Sequence, residues 1–470
     1  MKRLLLTIFV SIIIFLLSVC KNWEGSFSGK GSESDLSEVM KKGSLVVATS
    51  NNPSDYFLYK GEPLGFQLEM LEELGNYLGL KIDVMVCNNP GDNVELLNSG
   101  KCDIIASSWN LSLDKRNFIE TSIPLLKTDL LLVQRKPQKI DDHLGIAKPL
   151  VTDVKELRGK SVYLPVLSTQ GAILNHFAKE KNIQVVEMPQ YSTEKLVEFV
   201  AKGEVDYTIC NSILAETLKG QYPTLDFNTV IKKSEPIVWT FRKTSPKLVD
   251  KVNDWLQDFQ KSTRFALLLD KYFNQQNKWA VSQSRYFAYR ENRISIYDEL
   301  IKKYSVQINW DWRLLASLIY QESRFIPNIK SYRGAFGLMQ LMPATREYFG
   351  IDTTANPEQQ IRAGVNYIKF LDKSFATLVT DPKERINFIL ASYNIGPGHI
   401  FDALKLAHKF GKNPQKWFDN VDSCLLKKSE PQNYKDPMVE YGYCKGIETF
   451  SFVQEIIQRY HHYRNVISNK

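Results

Sequence analysis

The sequence predicts a chain in two folded parts, a bilobal α/β part in front and an all-α part behind. Three observations predict it. Short apolar strand-like words alternate with helix-period words from about residue 43 to 135, and the alternation restarts and runs to about 235. Beyond residue 293 every periodic stretch is helical. Between the two lies 276–292, a polar and aromatic segment without a clean period, which marks the boundary. At 470 residues the chain is also too long for one ordinary core.

The N-terminus opens with Met1-Lys2-Arg3 and an apolar run over residues 4–19 that ends at Cys20. A basic start and a run of this length form a secretory h-region, slightly short for a comfortable membrane span. Residues 1–20 are therefore read as a signal segment and 21–42, rich in Gly and Ser, as a flexible tether.

The first lobe, about 43–135, begins with the strand SLVVATS. The helix GFQLEMLEELGNYLGL follows, with Phe66, Met70, Leu71, Leu74 and Leu78 at helical spacing. KIDVMVC, VELLNSG and KCDIIASS continue the order as strand, helix and strand. This order implies a parallel sheet with helices on its faces. The second lobe, about 140–235, repeats it through LRGKSVYLP, STQGAILNHFAKEKN, IQVVEMP, STEKLVEFVAKG and EVDYTIC. Residues 236–275 return to the first lobe as a strand, PIVWTFRK, and closing helices.

The all-α part, 293–470, starts with ISIYDELIKKYSVQ and then WDWRLLASLIYQES, whose Leu315, Ile319 and Glu322 share one face. Asn356 and Pro357 open the next long helix as N-cap and first turn. Asp381, Pro382 and Glu384 open another in the manner of a capping box, and IGPG ends it. HIFDALKLAHKFG and IETFSFVQEIIQRYHHYR complete the chain.

A composition of 43% hydrophobic and 24% charged residues is that of a globular protein and excludes collagen-like and disordered classes. The net charge of +8 suits an anionic polymer without selecting one. Beside Cys20 stand Cys87, Cys102, Cys210, Cys424 and Cys444, an odd set that argues against a full disulfide framework. Cys424 and Cys444, which bracket a loop-like segment, are the candidate pair. No cluster has zinc spacing, so neither a metal site nor a cofactor is expected.

The chemistry concentrates in YQESRFIPNIKSYRGAFGLMQLMPATREYFG, residues 320–350. A carboxylate at Glu322 on an apolar helix face has its neutral form favoured, which suits a general acid near neutral pH. The bland reading is a helix-end acid paired to Arg313 or Arg324. Ser323 adds a hydroxyl. The glycines of GAFGLMQ let backbone approach a ligand, and Gln340 offers an amide. Tyr393 and Asn394 bring an aromatic face and a second amide at a helix end. Aromatic and amide groups without a charge cluster suit a neutral sugar polymer.

The words ES, GLMQ and ASYN, in this order and spacing, resemble the soluble-type lytic transglycosylase family over about 293–470. The resemblance implies a lysozyme-like, goose-type fold. It makes Glu322 the catalytic acid and places Ser323, Met339, Gln340, Tyr393 and Asn394 at the sugar cleft. IETFSFV is similar to a fourth motif of that family, which adds Glu448. There Phe452 stands where the family has Tyr, and in ASYN Ser392 stands where it has Ala. The implied reaction cleaves the MurNAc–GlcNAc β-1,4 bond of peptidoglycan without water and leaves a 1,6-anhydro end. One acid suffices, because the substrate's own C6 hydroxyl attacks C1. A muramidase that uses water at the same bond is one alternative, and a non-catalytic cell-wall or solute receptor is the other.

Residues 43–275 resemble the family-3 periplasmic solute-binding proteins in GSLVVATS, LLNSGKCDIIASSWNLSLDKRNFIETSIPLL and VAKGEVDYTI. That resemblance makes Arg116 the carboxylate grip of a small ligand and puts Asn211 where the family has an Asp for the ligand's amine. A stem peptide or an amino acid is the expected ligand. The word LSVC resembles a bacterial lipobox, which implies lipidation at Cys20; an uncleaved anchor is the alternative, since Val19 is larger than usual. The partners are then peptidoglycan glycan strands and, through the lipid, a membrane. The implied location is the periplasmic side of a Gram-negative outer membrane. No nucleic acid is implied.

Overall fold

A computed structural model describes residues 35–88, 90–108, 119–137, 149–273 and 293–467, apart from 167, 169, 172, 175–181 and 190. Cys20, Arg116, residues 21–34 of the tether and the whole of 276–292 lie outside the described residues, whereas the end of the stretch read as a flexible tether, Leu36–Lys42, is a helix capped by Asp35. The chain divides into two compact units, residues 1–56 with 65–283, and 57–64 with 284–470.

The first unit begins with α1 (Leu36–Lys42) and β1 (Ser44–Thr49). The hairpin β2 (Phe57–Tyr59) and β3 (Glu62–Leu64) that follows belongs to the second unit. After it come α2 (Phe66–Leu78), β4 (Lys81–Val86), α3 (Pro90–Asn98), β5 (Ile104–Ile105), β6 (Ile119–Thr121) and β7 (Leu126–Arg135). Then follow β8 (Ser161–Pro165), β9 (Gln184–Met188), α4 (Thr193–Lys202), β10 (Thr208–Asn211), α5 (Ser212–Lys219), β11 (Leu225–Asp226), β12 (Val230–Ile237) and β13 (Thr240–Arg242). Helices α6 (Pro246–Phe259) and α7 (Thr263–Phe273) close the unit.

One sheet runs β4-β1-β5-β13-β6, with β1, β4 and β5 parallel and β13 antiparallel to its neighbours. Strand β13 returns here because Arg242 is buried against Asp103 at 3.0 Å, while Asp103 also accepts from the Val46 amide. The second sheet is built on β7, which pairs antiparallel with β10, β11 and β12. Sequence order alone assigns β7 to the first lobe; in the fold it is the centre of the second sheet. Its alternating side chains explain why. Leu130 and Leu132 enter one core, and Leu131 and Val133 enter another on the opposite face, so the strand is buried on both sides. Strands β8 and β9 pair parallel.

The second unit contains α8 (Asp298–Ser305), α9 (Trp312–Ser323), α10 (Pro343–Tyr348), α11 (Pro357–Phe375), α12 (Pro382–Ile395) and α13 (Pro397–Lys409). It continues with α14 (Asp422–Lys427), α15 (Pro431–Tyr434) and α16 (Gly446–Val466). Helix α9 is central: every residue from Trp312 to Tyr320 is buried, as its nearly continuous apolar text requires. It lies against α16, where the Ser317 hydroxyl donates to the Ile456 carbonyl at 2.7 Å. Helix α11 opens with a reciprocal capping box between Asn356 and Gln359. Asp381 caps α12 through the Lys383 amide, but Glu384 does not reach back as a capping box partner. Its carboxylate accepts instead from Lys416 and the Trp417 amide.

Leu58 of the hairpin joins the apolar core of this unit, and the Tyr463 hydroxyl donates to the Gly61 carbonyl at 2.7 Å. A fully buried ion pair, Lys428 with Asp402 at 2.6 Å, ties α13 to the end of α14. Cys424 and Cys444 are both buried free thiols, so the bridge considered from their spacing is not formed. Phe452 is buried in the core, which is why a phenyl ring without a hydroxyl is accommodated there.

Candidate active site

Helix α9 delivers Glu322 at its last turn. The turn ends abruptly because Arg324 and Phe325 both take positive φ, 51° and 62°. This reverses the chain and leaves the carboxyl at the helix rim, half-buried. Burial pushes its pKa up to about 8, and burial is the sole cause. Arg313, one partner considered for Glu322, is committed to Asp311 at 2.6 Å and to the Ile467 carbonyl at 2.7 Å.

The neighbouring Ser323 is buried. Its hydroxyl lies 3.1 Å from the Ile319 carbonyl and donates to the Leu338 carbonyl at 2.9 Å. It therefore fixes the helix to the GLMQ loop and offers no free hydroxyl to a ligand. The loop is clamped from the other side by Gln360, a residue of α11 that no motif singled out. Its Oε1 accepts from the Leu338 amide at 2.8 Å, and its Nε2 donates to the Pro327 and Ala355 carbonyls at 3.2 and 2.7 Å. Gly337 must be glycine at this point. Its φ is +80°, and a Cβ there would lie 2.4 Å from Gln360 Oε1.

Met339 is buried, with its side chain against Gly364 of α11. What Met339 presents is its carbonyl, which accepts from the Tyr393 hydroxyl at 2.7 Å. Tyr393 stands close enough to Glu322 for the carboxylate's charge to help raise the phenol's pKa well above its usual range. Gln340 takes φ 45°, and its amide Nε2 donates to Gly337 and Ile329 carbonyls at 2.8 and 3.1 Å. Its Oε1 is the end left to meet a ligand. Asn394 is exposed, and its Oδ1 accepts from Thr449 at 2.7 Å, which joins the end of α12 to the start of α16. Glu448, beside Thr449, is exposed and paired with Lys445 at 3.2 Å.

The structure thus brings Glu322, Tyr393 and the GLMQ loop together directly, with Ser323 and Met339 as buried supports. The raised pKa of Glu322 carries no contribution from a neighbouring carboxylate. The site can donate one proton from a neutral acid beside aromatic and amide surfaces. Among the described residues no group of side chains is arranged to hold a metal ion.

In the first unit Asn211 is buried and occupied. Its Oδ1 caps α5 through the Leu214 amide at 2.8 Å, and its Nδ2 donates to the Ser108 carbonyl at 2.7 Å. That is why an amide rather than an ionised acid is found there. Two buried acids went unnoticed in the sequence, because neither lies in a recognisable word. Asp55 accepts from the Ser108 amide and Asn52 at 2.9 Å each, and burial lifts it to about 6. Glu194, at the start of α4, is lifted by burial to about 7 and also feels the Asp55 charge. Glu194 lines a small crevice with Ser50, Asn88, Ser168, Gln170 and Thr193.

Residues 45–275 match the family model of bacterial extracellular solute-binding proteins, family 3, and residues 299–416 match that of the transglycosylase SLT domain. A relative from Desulfosudis oleivorans, named membrane-bound lytic murein transglycosylase F, is 29% identical over 464 residues, 98% of each chain. One of the same name from Aeromonas hydrophila is 28% identical over 430 residues, 91% of this chain and 83% of its own. Among solved structures, a mutant of ArgBP from T. maritima is 21% identical and covers 50% of this chain and 98% of its own at a TM-score of 0.43. Among the described residues no helix is long and apolar enough to cross a membrane.

Proposed function

We propose, for a chain in which a family-3 solute-binding domain is followed by a transglycosylase SLT domain, that it is a peptidoglycan lytic transglycosylase with Glu322 as its catalytic acid. The observation that carries this reading is that Glu322, at the end of α9, has its acid form favoured by burial with no contribution from a second carboxylate. A paired-carboxylate glycosidase needs a second acid roughly 5–10 Å away to act as nucleophile or to activate water. Here burial alone sets the pKa of about 8. Protonated at neutral pH, Glu322 gives its proton to the glycosidic oxygen between MurNAc and GlcNAc. The N-acetyl carbonyl of the substrate supports the positive charge at C1. The ionised Glu322 then takes the proton of the C6 hydroxyl as that oxygen attacks C1. The products are a free 4-hydroxyl on one fragment and a 1,6-anhydroMurNAc end on the other, and Glu322 is protonated again.

Around it, Gln340, Tyr393 and Asn394 orient the sugars, Ser323 and Met339 hold the cleft's backbone, and Glu448 stands at the outer end near Asn394. The domain bounds that go with this reading are 43–275 for the solute-binding part, 276–292 for the linker and 293–470 for the transglycosylase part. In the front domain a stem peptide or amino acid is the proposed ligand, with Arg116 as its carboxylate grip. Attachment through a lipid on Cys20 to the periplasmic face of an outer membrane completes the proposal.

The test is mass spectrometry of the soluble products from purified peptidoglycan treated with the full chain and with Glu322→Gln. Anhydromuropeptides from the first and none from the second are expected. Reducing ends in their place mean that water is the acceptor and the enzyme is a muramidase. Binding without products from either protein means a receptor.

A further inference from the structure

A hollow of about 480 Å³ opens in the second unit where the hairpin β2–β3 meets the C-terminal end of α9. Tyr59, Lys60 and Glu62 of the hairpin form one wall, and Tyr320, Arg324 and Phe325 form another. Ile294 and Ile296, just ahead of α8, form a third, with Ile326 also on the lining. Glu322, Gln340, Tyr393 and Asn394 have no part in it. The walls are fixed by the fold. Gly61 lies so close to the Tyr320 and Phe325 rings that a Cβ there would meet each at 2.8 Å. Those two rings meet edge-on at 5.8 Å. Asp298 accepts from the Ile294 and Ser295 amides at 2.8 Å each, which holds the third wall. A preformed and mostly apolar cavity of this size, with a few polar groups, is the usual form of a small-molecule site.

The lining selects the class of ligand. Three aromatic rings and three isoleucines give it apolar area for an aliphatic body. Ile296 is 55% exposed and Ile326 49%, so two large aliphatic side chains are left in water on the same hollow. The charges favour an anion. Lys60, whose ammonium sits 5.3 Å over the Tyr59 ring, and Arg324 both line the hollow. The one acid there, Glu62, is hydrogen-bonded by the Tyr320 hydroxyl. An aliphatic chain that ends in a carboxylate or a phosphate matches both the walls and the charge. An ammonium group would meet two cations, and a neutral sugar would leave the isoleucines without partners.

We infer that this hollow is a binding site for an amphiphilic anion, an aliphatic chain ending in a carboxylate or a phosphate, with Arg324 as the contact of its head group. Occupation bears on the acid. Arg324 and Phe325 form the reversal immediately after Glu322, at φ 51° and 62°, a region that costs a bulky side chain energy. A ligand that packs on Phe325 and pairs with Arg324 binds only while the reversal is formed, and so stabilises it by mass action. Glu322 is then held at the helix rim more of the time, and turnover rises. This effect on turnover rests on the proposed role of Glu322; the binding does not.

The test is calorimetry of the full chain with decanoate, decyl phosphate, decanol and decylammonium, each below the concentration at which it forms micelles. Both anions are expected to bind at least about tenfold tighter than decanol, and decylammonium more weakly than decanol. Arg324→Asn removes the charge and keeps a residue suited to left-handed backbone. It is expected to erase the anions' advantage and to leave decanol binding as it was. Ile296→Asp with Ile326→Asp is expected to weaken all three uncharged and anionic probes, and thermal denaturation shows whether the fold is kept. The tighter of the two anions identifies the source, a free carboxylate or a phospholipid head group. Anions that bind no tighter than decanol, or that bind both variants as they bind the parent, overturn the site, as does a chain that binds no probe. Saturating decanoate is expected to raise kcat on peptidoglycan about twofold in the parent and not in Arg324→Asn. Binding without a change in kcat overturns the link to Glu322. If neither protein cleaves peptidoglycan while decanoate still binds, the glycan-cleaving reading fails and the site stands.

Discussion

The hydroxyl of Ser323 donates to the carbonyl of Leu338 at 2.9 Å, and this one bond joins the helix that carries Glu322 to the loop that faces it. The residue next to the acid thus acts on the protein rather than on a substrate. Ser323→Ala leaves the buried Leu338 carbonyl without its donor, a loss of about 1–2 kcal/mol in stability by denaturant titration. Activity should fall further than stability accounts for, because the loop's distance from Glu322 is no longer fixed.

Gly337→Ala is a sharper test of the same loop. The new methyl would sit 2.4 Å from Gln360 Oε1 at a φ of +80°, so both clash and backbone strain oppose it. The expected outcome is a loss of at least about 2 kcal/mol together with most of the activity, and an unaltered helical circular dichroism spectrum. Gln360→Ala should not rescue it, because the Leu338 amide then has no acceptor.

The pH dependence follows from Glu322. Its ordinary pKa is 4.5, and burial in the folded chain raises it to about 8. Between these values the folded state binds more protons than the unfolded one. The associated stability is therefore complete below about pH 4.5 and is lost as pH rises through about 8, a change on the order of a few kcal/mol. Glu322→Gln cannot ionise, so its melting temperature should exceed that of the parent at pH 9 by more than at pH 5. The rate should fall on the alkaline side near pH 8, as the acid form is depleted.

Lys428 and Asp402 are both completely buried, and Asp402 also accepts from the Glu440 and Tyr441 amides at 2.9 Å each. Lys428→Met strands a carboxylate in the core and should cost about 3–5 kcal/mol, measured as a shift of the denaturation midpoint. His399, whose Nδ1 lies 2.9 Å from the Lys428 ammonium, is held below its usual pKa by burial and by that charge. In Lys428→Met the imidazole should titrate at higher pH, which nuclear magnetic resonance can follow.

The two-part architecture and the acid were legible in the sequence because each has a local signature. The strand–helix alternation announces the α/β part, and the face shared by Leu315, Ile319 and Glu322 announces a carboxylate on an apolar helix. What could not be read was pairing across distance. Strand β7 follows β6 in the chain yet joins the other sheet, since its two-sided apolar faces find cores only there. Gln360 lies outside every motif, and its role exists only because α11 passes the GLMQ loop. Ser323 and Met339 look like ligand contacts by adjacency, but the αL reversal at Arg324 and the packing on Gly364 turn them inward. Asp55 and Glu194 are ordinary acids in the text, and only burial distinguishes them.

The hairpin from Phe57 to Leu64 has an implication for ancestry. It lies within the stretch matched by the solute-binding family, yet it folds as part of the helical unit, with Leu58 in that unit's core and Gly61 under the Tyr463 hydroxyl. The chain therefore cannot be parted into freely exchangeable cassettes at its linker. A gene rearrangement that carried off the C-terminal half alone would leave a socket in its core and an orphaned phenol.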